Sequence, residues 1–252
     1  MPTHTPTPLD GKVVLITGAA RRVGATIART MHAAGANVVL HYRNSGQAAA
    51  SLALELETAR SGSATTLKAN LLNMDELAPL ADAALRAFGR LDVLVNNASS
   101  FYPTPIGEIT AEQWDDLIGT NVKAPLFLSQ AAAPALRKTS GLILNLVDIH
   151  GARPLKRFPV YCTAKAALAM LTHSLARELA PQVRVNGIAP GPVMWPEDPP
   201  DPAMQEKIIS QTLLQRQGSP QDVARTALFF ATEAPYITGQ ILAVDGGRSV
   251  GW

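Results

Sequence analysis

A tyrosine and a lysine stand four residues apart in VDIHGARPLKRFPVYCTAKAAL, residues 147–168, and an aspartate stands thirteen residues before the tyrosine. If the segment is helical, Tyr161 and Lys165 share a face one turn apart. A phenol beside a cation is a candidate proton donor, because the positive charge favours the phenolate and lowers the phenol's pKa. The same spacing also suits plain packing, with Lys165 carrying its charge to the surface along a buried stem. Asp148 closes the apolar run LILNLV. There it could cap a turn or face a substrate. An ionised carboxylate only accepts hydrogen bonds, so it suits a partner with N–H donors or a C=N nitrogen that needs a proton. It opposes a carbonyl gaining negative charge, and beside Tyr161 it would raise the tyrosine's pKa.

The elements that must hold these residues alternate. Short apolar runs at 12–17, 37–42, 64–68, 92–96, 142–147, 183–189 and 241–245 read as strands, separated by Ala- and Leu-rich helical stretches. Strands that are apolar on both faces predict a parallel sheet covered on both sides. The expected fold is α/β: one Rossmann-like, doubly wound domain with seven parallel strands, built by right-handed crossovers. Residues 1–10, rich in proline and threonine, read as a flexible tail, with one domain over 11–252. A proline-rich zone begins at about 190, and 192–215 is expected to be a lid over the carboxyl end of the sheet.

The first strand runs into TGAARRVG, residues 17–24, and then a helix. Such a turn lets backbone N–H groups and a helix N-terminus face a pyrophosphate. Gly18 permits the tight turn and Gly24 lets the helix approach the sheet. From Gly11 to Leu54 there is no Asp or Glu, while Lys12, Arg21, Arg22, Arg29 and Arg43 are present. A ribose 2′-hydroxyl is usually bound by an acid after the second strand. Here that place reads HYRNS, and Arg43, Asn44 and Ser45 could take a 2′-phosphate through charge-assisted bonds. The pattern favours NADPH over NADH.

Apolar residues make up 47% of the 252, enough for a sizeable core, and a net charge of +2 argues against nucleic-acid binding by bulk attraction. The single cysteine, Cys162, excludes an internal disulfide and fits a reducing compartment. With no apolar run long enough to span a bilayer and no secretory leader pattern at the start, a soluble cytoplasmic protein is expected, with no membrane partner. His4, His32, His41, His150 and His173 show no metal-ligand spacing, so no metal is expected.

TGAARRVG, NNASS (96–100), Asn121 in GTNVKAPL, YCTAK (161–165) and PGPV (190–193) together resemble the short-chain dehydrogenase/reductase family, over about residues 11–248. Three departures look like its pteridine reductase subgroup. Arg22 stands where a glycine is usual, Ser99 follows NNA in place of glycine, and Asp148 replaces the usual catalytic serine. A fourth departure is Asn70, where an aspartate is more usual beside the adenine.

The resemblance implies a bound NADPH, with contacts at Gly18, Arg21, Arg22 and Val23 of the first turn and at His41, Arg43, Asn44 and Ser45 after the second strand. Further contacts are implied at Asn70 and Leu71, at Asn97, Ala98 and Ser99, at Tyr161 and Lys165, and at Pro190, Gly191 and Val193. It implies a catalytic set of Asp148, Tyr161, Lys165 and Asn121, with Lys165 also on the nicotinamide ribose and Asn121 extending the proton path through water. A pterin or folate substrate would meet Arg22, Ser99, Phe101, Asp148, Tyr161, Met194 and Trp195. Phe101 could stack on its flat ring or serve only for packing. Tyr102 and the prolines of SSFYPTP would shape the loop. A homotetramer is implied, in which Arg248 or Trp252 could reach a neighbouring site. The rival expectations are a carbonyl reductase of the same family and a nucleotide-binding regulator without turnover.

Overall fold

The computed structural model describes residues 7–196 and 199–251. Strand β1 (Val13–Ile16), helix α1 (Arg22–Ala33), β2 (Asn37–Tyr42), α2 (Gly46–Ala59) and β3 (Ala64–Lys68) form the first half. After α3 (Leu77–Phe88) come β4 (Val93–Asn96), α4 (Ala111–Ile118), α5 (Ala124–Thr139), β5 (Leu142–Leu146), α6 (Pro159–Leu179) and β6 (Arg184–Pro190). Helices α7 (Pro202–Ser210) and α8 (Pro220–Thr232) precede β7 (Ile241–Val244). All seven expected strands are present, each within about two residues of its expected ends.

The strands form one parallel sheet in the order β3-β2-β1-β4-β5-β6-β7. Its polarity of growth reverses between β1 and β4, which opens a crevice at their carboxyl ends. The central strands are buried on both faces, which is why β1 (VVLI) and β5 (LILNL) show no alternation. On one face Ile27 and Met31 of α1 pack with Val223, Ala227 and Phe230 of α8. On the other, Leu77, Leu80 and Ala84 of α3 meet Leu128 and Leu136 of α5 and Leu175 of α6. Each such fully buried aliphatic side chain contributes roughly 1.5–3 kcal/mol.

One polar thread runs through this core. The Asn96 side-chain amide donates to Asn145 Oδ1 (2.9 Å) and Ser129 Oγ (3.2 Å), and Asn145 Nδ2 donates to Thr172 Oγ1 (2.9 Å). These buried groups tie β4 and β5 to α5 and α6, directly beneath the loops that carry residues 97–105 and 148–161. A satisfied buried network fixes register, because any slip would strand its donors.

Two boundaries differ from expectation. The flexible tail cannot extend to residue 10: Leu9 is buried, its N–H donates to the Ala34 carbonyl at 2.8 Å, and the Asp10 N–H turns back on Thr7. An apolar side chain with a nearby pocket outweighed the proline-rich surroundings. Residues 1–6 and Trp252 lie outside the described residues, as do residues 197–198 of the expected lid. That lid is also more than a loop, since it contains α7. Asp201 caps this helix by accepting from the Met204 N–H at 2.8 Å, and Pro202 occupies the first turn, where its missing N–H costs nothing.

Candidate active site

The turn after β1 is braced from three sides. Gly18 has φ +62°, and a β-carbon there would stand 3.1 Å from the Ala98 α-carbon. Asn97 Nδ2 donates to the Thr17 carbonyl at 2.8 Å and the Gly18 carbonyl at 3.2 Å. The Gly18 N–H donates to His41 Nδ1 at 3.1 Å. That bond fixes Nδ1 as the acceptor, so Nε2 carries the proton and donates to the Ala69 carbonyl, also at 3.1 Å. His41 and Asn97 were expected to touch the cofactor. Both His41 ring nitrogens and the Asn97 side-chain NH2 are engaged within the protein, on Gly18, Ala69 and Thr17, and burial lowers the His41 pKa.

Helix α1 begins without a side-chain cap and with no acid in its first turn. Its first N–H groups and Arg21 therefore suit a phosphate. Val23 is partly buried against the core. Arg22 has φ +57°, a left-handed conformation that glycine adopts without cost, which explains why a glycine is usual there. Its guanidinium donates to the Trp195 carbonyl at 2.6 Å and so links the glycine turn to the segment after β6. Trp195 is half-buried and Met194 exposed beside it.

Beyond the ends of β2 and β3 lies a cavity of about 440 Å³ lined by Arg43, Asn44, Lys68, Ala69, Asn70 and Glu76. Ser45 precedes α2 directly, as its N-cap. Lys68 and Glu76 were not anticipated. Lys68 adds a second cation at the expected phosphate site. Glu76 brings back an acid that the run from Gly11 to Leu54 lacks; its carboxylate accepts from the Asn70 N–H at 2.7 Å and from Asn73 Nδ2 at 3.0 Å. These bonds lower its pKa. Asn70 turns its own oxygen back to the Leu72 N–H at 3.3 Å. Leu71 and Val193 are buried apolar residues, so neither side chain is free for a polar contact. Pro190 ends β6, and Gly191 lies so close to Asp245 that a β-carbon would meet its Cβ at 2.6 Å.

At the substrate end, the structure brings Asp148, Tyr161, Ser99 and Asn121 together from four segments. Asp148 does both things its position allowed. Its Oδ1 caps the short turn at Ile149–Gly151, accepting from the His150 N–H at 2.8 Å, while Oδ2 accepts from the Tyr161 hydroxyl at 2.7 Å. Lys165 is buried one turn along, and its ammonium donates to the Leu146 carbonyl at 2.9 Å. Ser99 Oγ donates to Asn121 Oδ1 at 2.7 Å. Asn121 lies in a π-helical turn, Gly119–Lys123, the widened geometry that commonly marks functional sites.

The expected lysine-lowered phenol is not found. Burial and the Asp148 carboxylate raise the Tyr161 pKa well above 10, while burial lowers that of Lys165 to about 8. The physical reason is placement. The Lys165 ammonium lies 5.6 Å from the centre of the tyrosine ring and is bonded to a backbone carbonyl, whereas the carboxylate sits on the hydroxyl itself.

Phe101 stacks on Phe158 (4.7 Å, 13° between planes) and meets Tyr161 edge-on (4.7 Å, 76°), yet remains 43% exposed. Both of its expected roles are therefore open to it: packing on one side, a platform on the exposed part. Phe158 went unnoticed in the sequence, although it lies one turn before Tyr161. Tyr102 shapes the loop, donating to Asp116 at 3.0 Å, and its pKa is raised to about 12 by burial and that carboxylate. Cys162 is a small packed residue; its sulfur accepts from the Leu155 N–H. Arg248 does not reach outward: it is buried and donates to the Ile208 carbonyl at 2.7 Å, within its own chain. Among the described residues no helix is long and apolar enough to cross a membrane.

A parallel sheet with this strand order, an uncapped helix at the glycine turn, and a Tyr–Lys helix beside the crevice define an oxidoreductase of the dinucleotide-binding kind, and the chain belongs to the short-chain dehydrogenase/reductase family. The family model described as enoyl-(acyl carrier protein) reductase matches residues 18–249. Pteridine reductase 1 of Leishmania tarentolae is 39% identical, over 94% of this chain and 96% of that protein. A 3-oxoacyl-[acyl-carrier-protein] reductase of Staphylococcus aureus is 36% identical, over 94% and 97% respectively. Among solved structures, a blue fluorescent protein from a metagenomic library, in complex with NADPH, superposes with a TM-score of 0.90 at 31% identity, covering 96% of this chain and 99% of that one.

Proposed function

We propose that this enzyme is an NADPH-dependent pteridine reductase, converting a dihydropterin or dihydrofolate to its tetrahydro form. The observation that carries this reading is the Asp148 carboxylate bonded to the Tyr161 hydroxyl at 2.7 Å. A ketone reductase would gain nothing from a carboxylate where negative charge develops. A ring nitrogen that must be protonated, flanked by N–H donors, suits it. The 39% identity to a pteridine reductase supports the same reading.

A reduced nicotinamide bound in the crevice supplies the hydride. The chain's residues do the rest. Arg43 and Lys68, on the cavity beyond β2 and β3, hold the 2′-phosphate, and the N-terminus of α1 with Arg21 holds the pyrophosphate. Lys165 binds the nicotinamide ribose. Phe101 offers its exposed part to the flat pterin ring, and Asp148 accepts from the ring's N–H groups. Tyr161 passes its hydroxyl proton to the reduced nitrogen. Its raised pKa keeps that proton in place at neutral pH until a strongly basic nitrogen is generated. Residues 192–215 act as a lid, tied down by Arg22. The chain forms a single reductase domain, which includes Leu9 as well as the residues from 11 onward. The homotetramer implied by the resemblance is part of this reading; Phe127 of α5 and Met170 of α6 are large exposed apolar side chains that an interface could cover.

The test is NADPH oxidation with dihydrobiopterin, dihydromonapterin, dihydrofolate and a set of simple ketones. Turnover of the pterins or folate is expected, with little on ketones. Turnover of ketones alone would replace this reading with a carbonyl reductase. Tight NADPH binding without turnover on any of them would point to a regulator.

A further inference from the structure

The turn that leads into α6 carries charge that the reaction does not use. Residues 149–177 contain no Asp or Glu, yet Arg153, Lys156 and Arg157 fall within one short stretch. Arg153 already has a partner. Lys156 and Arg157 are exposed, and among the described residues neither forms a salt bridge.

The local backbone explains their exposure. The Phe158 N–H donates to the Leu155 carbonyl at 3.1 Å, closing a four-residue turn with Lys156 and Arg157 at its corners. Leu155 and Phe158, at the two ends, pack against the cluster of Leu117, Val160, Tyr161 and Cys162. Arg157 has φ +72° while Lys156 stays at negative φ, the pattern of a type II turn. Glycine or asparagine suits that second corner, and arginine is strained there. A strained residue of this kind points to a use for its side chain.

The turn also borders the proposed substrate site. The Arg157 carbonyl accepts from the Thr104 N–H at 2.7 Å, which joins it to the loop that carries Phe101. The Phe158 ring stacks on Phe101 at 4.7 Å. A flat ring on the exposed part of Phe101 is therefore separated from this pair of cations by Phe158 alone. The facing segment carries Glu108, Glu112 and Asp115, and none of these pairs with either cation.

We propose that Lys156 and Arg157 determine specificity by reading an anionic tail on the pterin substrate. The chemistry they recognise is a carboxylate or phosphate carried on the ring's substituent, and the glutamate tail of dihydrofolate fits it. The benzoyl group of that tail lies against Leu155 and Phe158, and its carboxylates reach the cations between them. Arg157 takes a carboxylate through two parallel N–H bonds, and Lys156 adds a point charge. A pterin whose side chain carries only hydroxyls leaves both cations in water. The inference rests on the pteridine reductase reading and narrows its substrate.

The test measures KM and kcat for dihydrofolate, dihydroneopterin triphosphate and the uncharged dihydrobiopterin in Lys156→Gln, Arg157→Gly and the double variant. Arg157→Gly removes the guanidinium and relieves the left-handed corner, so the variant should fold at least as well as the starting enzyme. KM for dihydrofolate should rise about threefold to tenfold in each single variant and further in the double, with kcat kept. KM for dihydrobiopterin should stay within about twofold of its starting value. Added salt should raise KM for dihydrofolate in the starting enzyme but not in the double variant, since screening and substitution remove the same attraction. A parallel response to dihydroneopterin triphosphate would show that any tail anion is read; a response confined to it would overturn the glutamate assignment. Equal KM changes on dihydrofolate and dihydrobiopterin, or none on either, would sink the proposal while leaving the pteridine reductase reading intact. Failure of that reading has a different signature, no turnover of any pterin even by the starting enzyme, and this inference falls with it.

Discussion

The two ends of the crevice solve recognition in opposite ways. At the proposed nucleotide end the groups available to a ligand are mainly backbone N–H donors at the start of α1 and exposed cations such as Arg43 and Lys68. The polar side chains of Asn97 and His41 are turned inward to hold the Gly18 turn. At the proposed substrate end the polar side chains come from four segments and are bonded to one another, Asp148 to Tyr161 and Ser99 to Asn121. A turn made of backbone can be damaged only by changing its shape. A constellation of side chains can be damaged by changing one atom.

That contrast predicts the largest effect at the substrate end. Tyr161→Phe removes a single oxygen, leaves the ring to pack against Phe101, and should lower kcat by about 10²- to 10⁴-fold. Cofactor affinity, measured by fluorescence titration, should hold within about twofold, because no contact at the glycine turn changes. Steady turnover in this variant would remove the tyrosine from the proton path.

Gly24→Ala should do the converse, with a smaller effect. A β-carbon at Gly24 would stand 2.6 Å from Asn97 Nδ2 and closer still to the Gly18 carbonyl, which is backbone and cannot swing away. Overpacking of this kind costs about 1–3 kcal/mol. The expected outcome is a lower melting temperature and a raised cofactor KM, with kcat at saturating cofactor largely kept. If kcat collapses while KM holds, the two ends are not separable as argued.

The same contrast governs how much the sequence revealed. The inner strands were legible because both faces are buried, which leaves uninterrupted apolar runs, whereas the edge strands β3 and β7 are only partly buried. The glycine turn was legible because φ +62° at Gly18 leaves little alternative to glycine. That Asp148 and Tyr161 would meet was legible from their spacing, but the electrostatics of the meeting were not. Spacing put Lys165 one turn from Tyr161 without saying that its ammonium would be held by Leu146. Lys68 and Glu76 escaped because one ends and the other follows the third strand, and both reach the cavity only through the fold. Helix α7 escaped because the prolines before it masked a start signal, Asp201-Pro202, that was readable.

His41 offers the finest test, since through it the Gly18 turn depends on a titrating side chain. Burial lowers its pKa below the ordinary 6.5, against weaker opposing effects of the Ala69 carbonyl and Glu76. Above 6.5 the ring is neutral in both the folded and unfolded chain, and the bond from the Gly18 N–H is intact. As pH falls through 6.5, the unfolded chain takes up a proton that the folded chain refuses, so stability declines until the folded ring also protonates. His41→Gln can keep an acceptor for Gly18 and a donor for Ala69 but does not titrate. Its melting temperature should therefore match the unsubstituted enzyme above neutrality and fall less steeply in acid. His32, whose pKa burial also lowers, contributes the same slope to both proteins and cancels in the comparison. Identical acid slopes in the two proteins would mean that His41 does not control the turn, and that its brace is no more sensitive to pH than the backbone it holds.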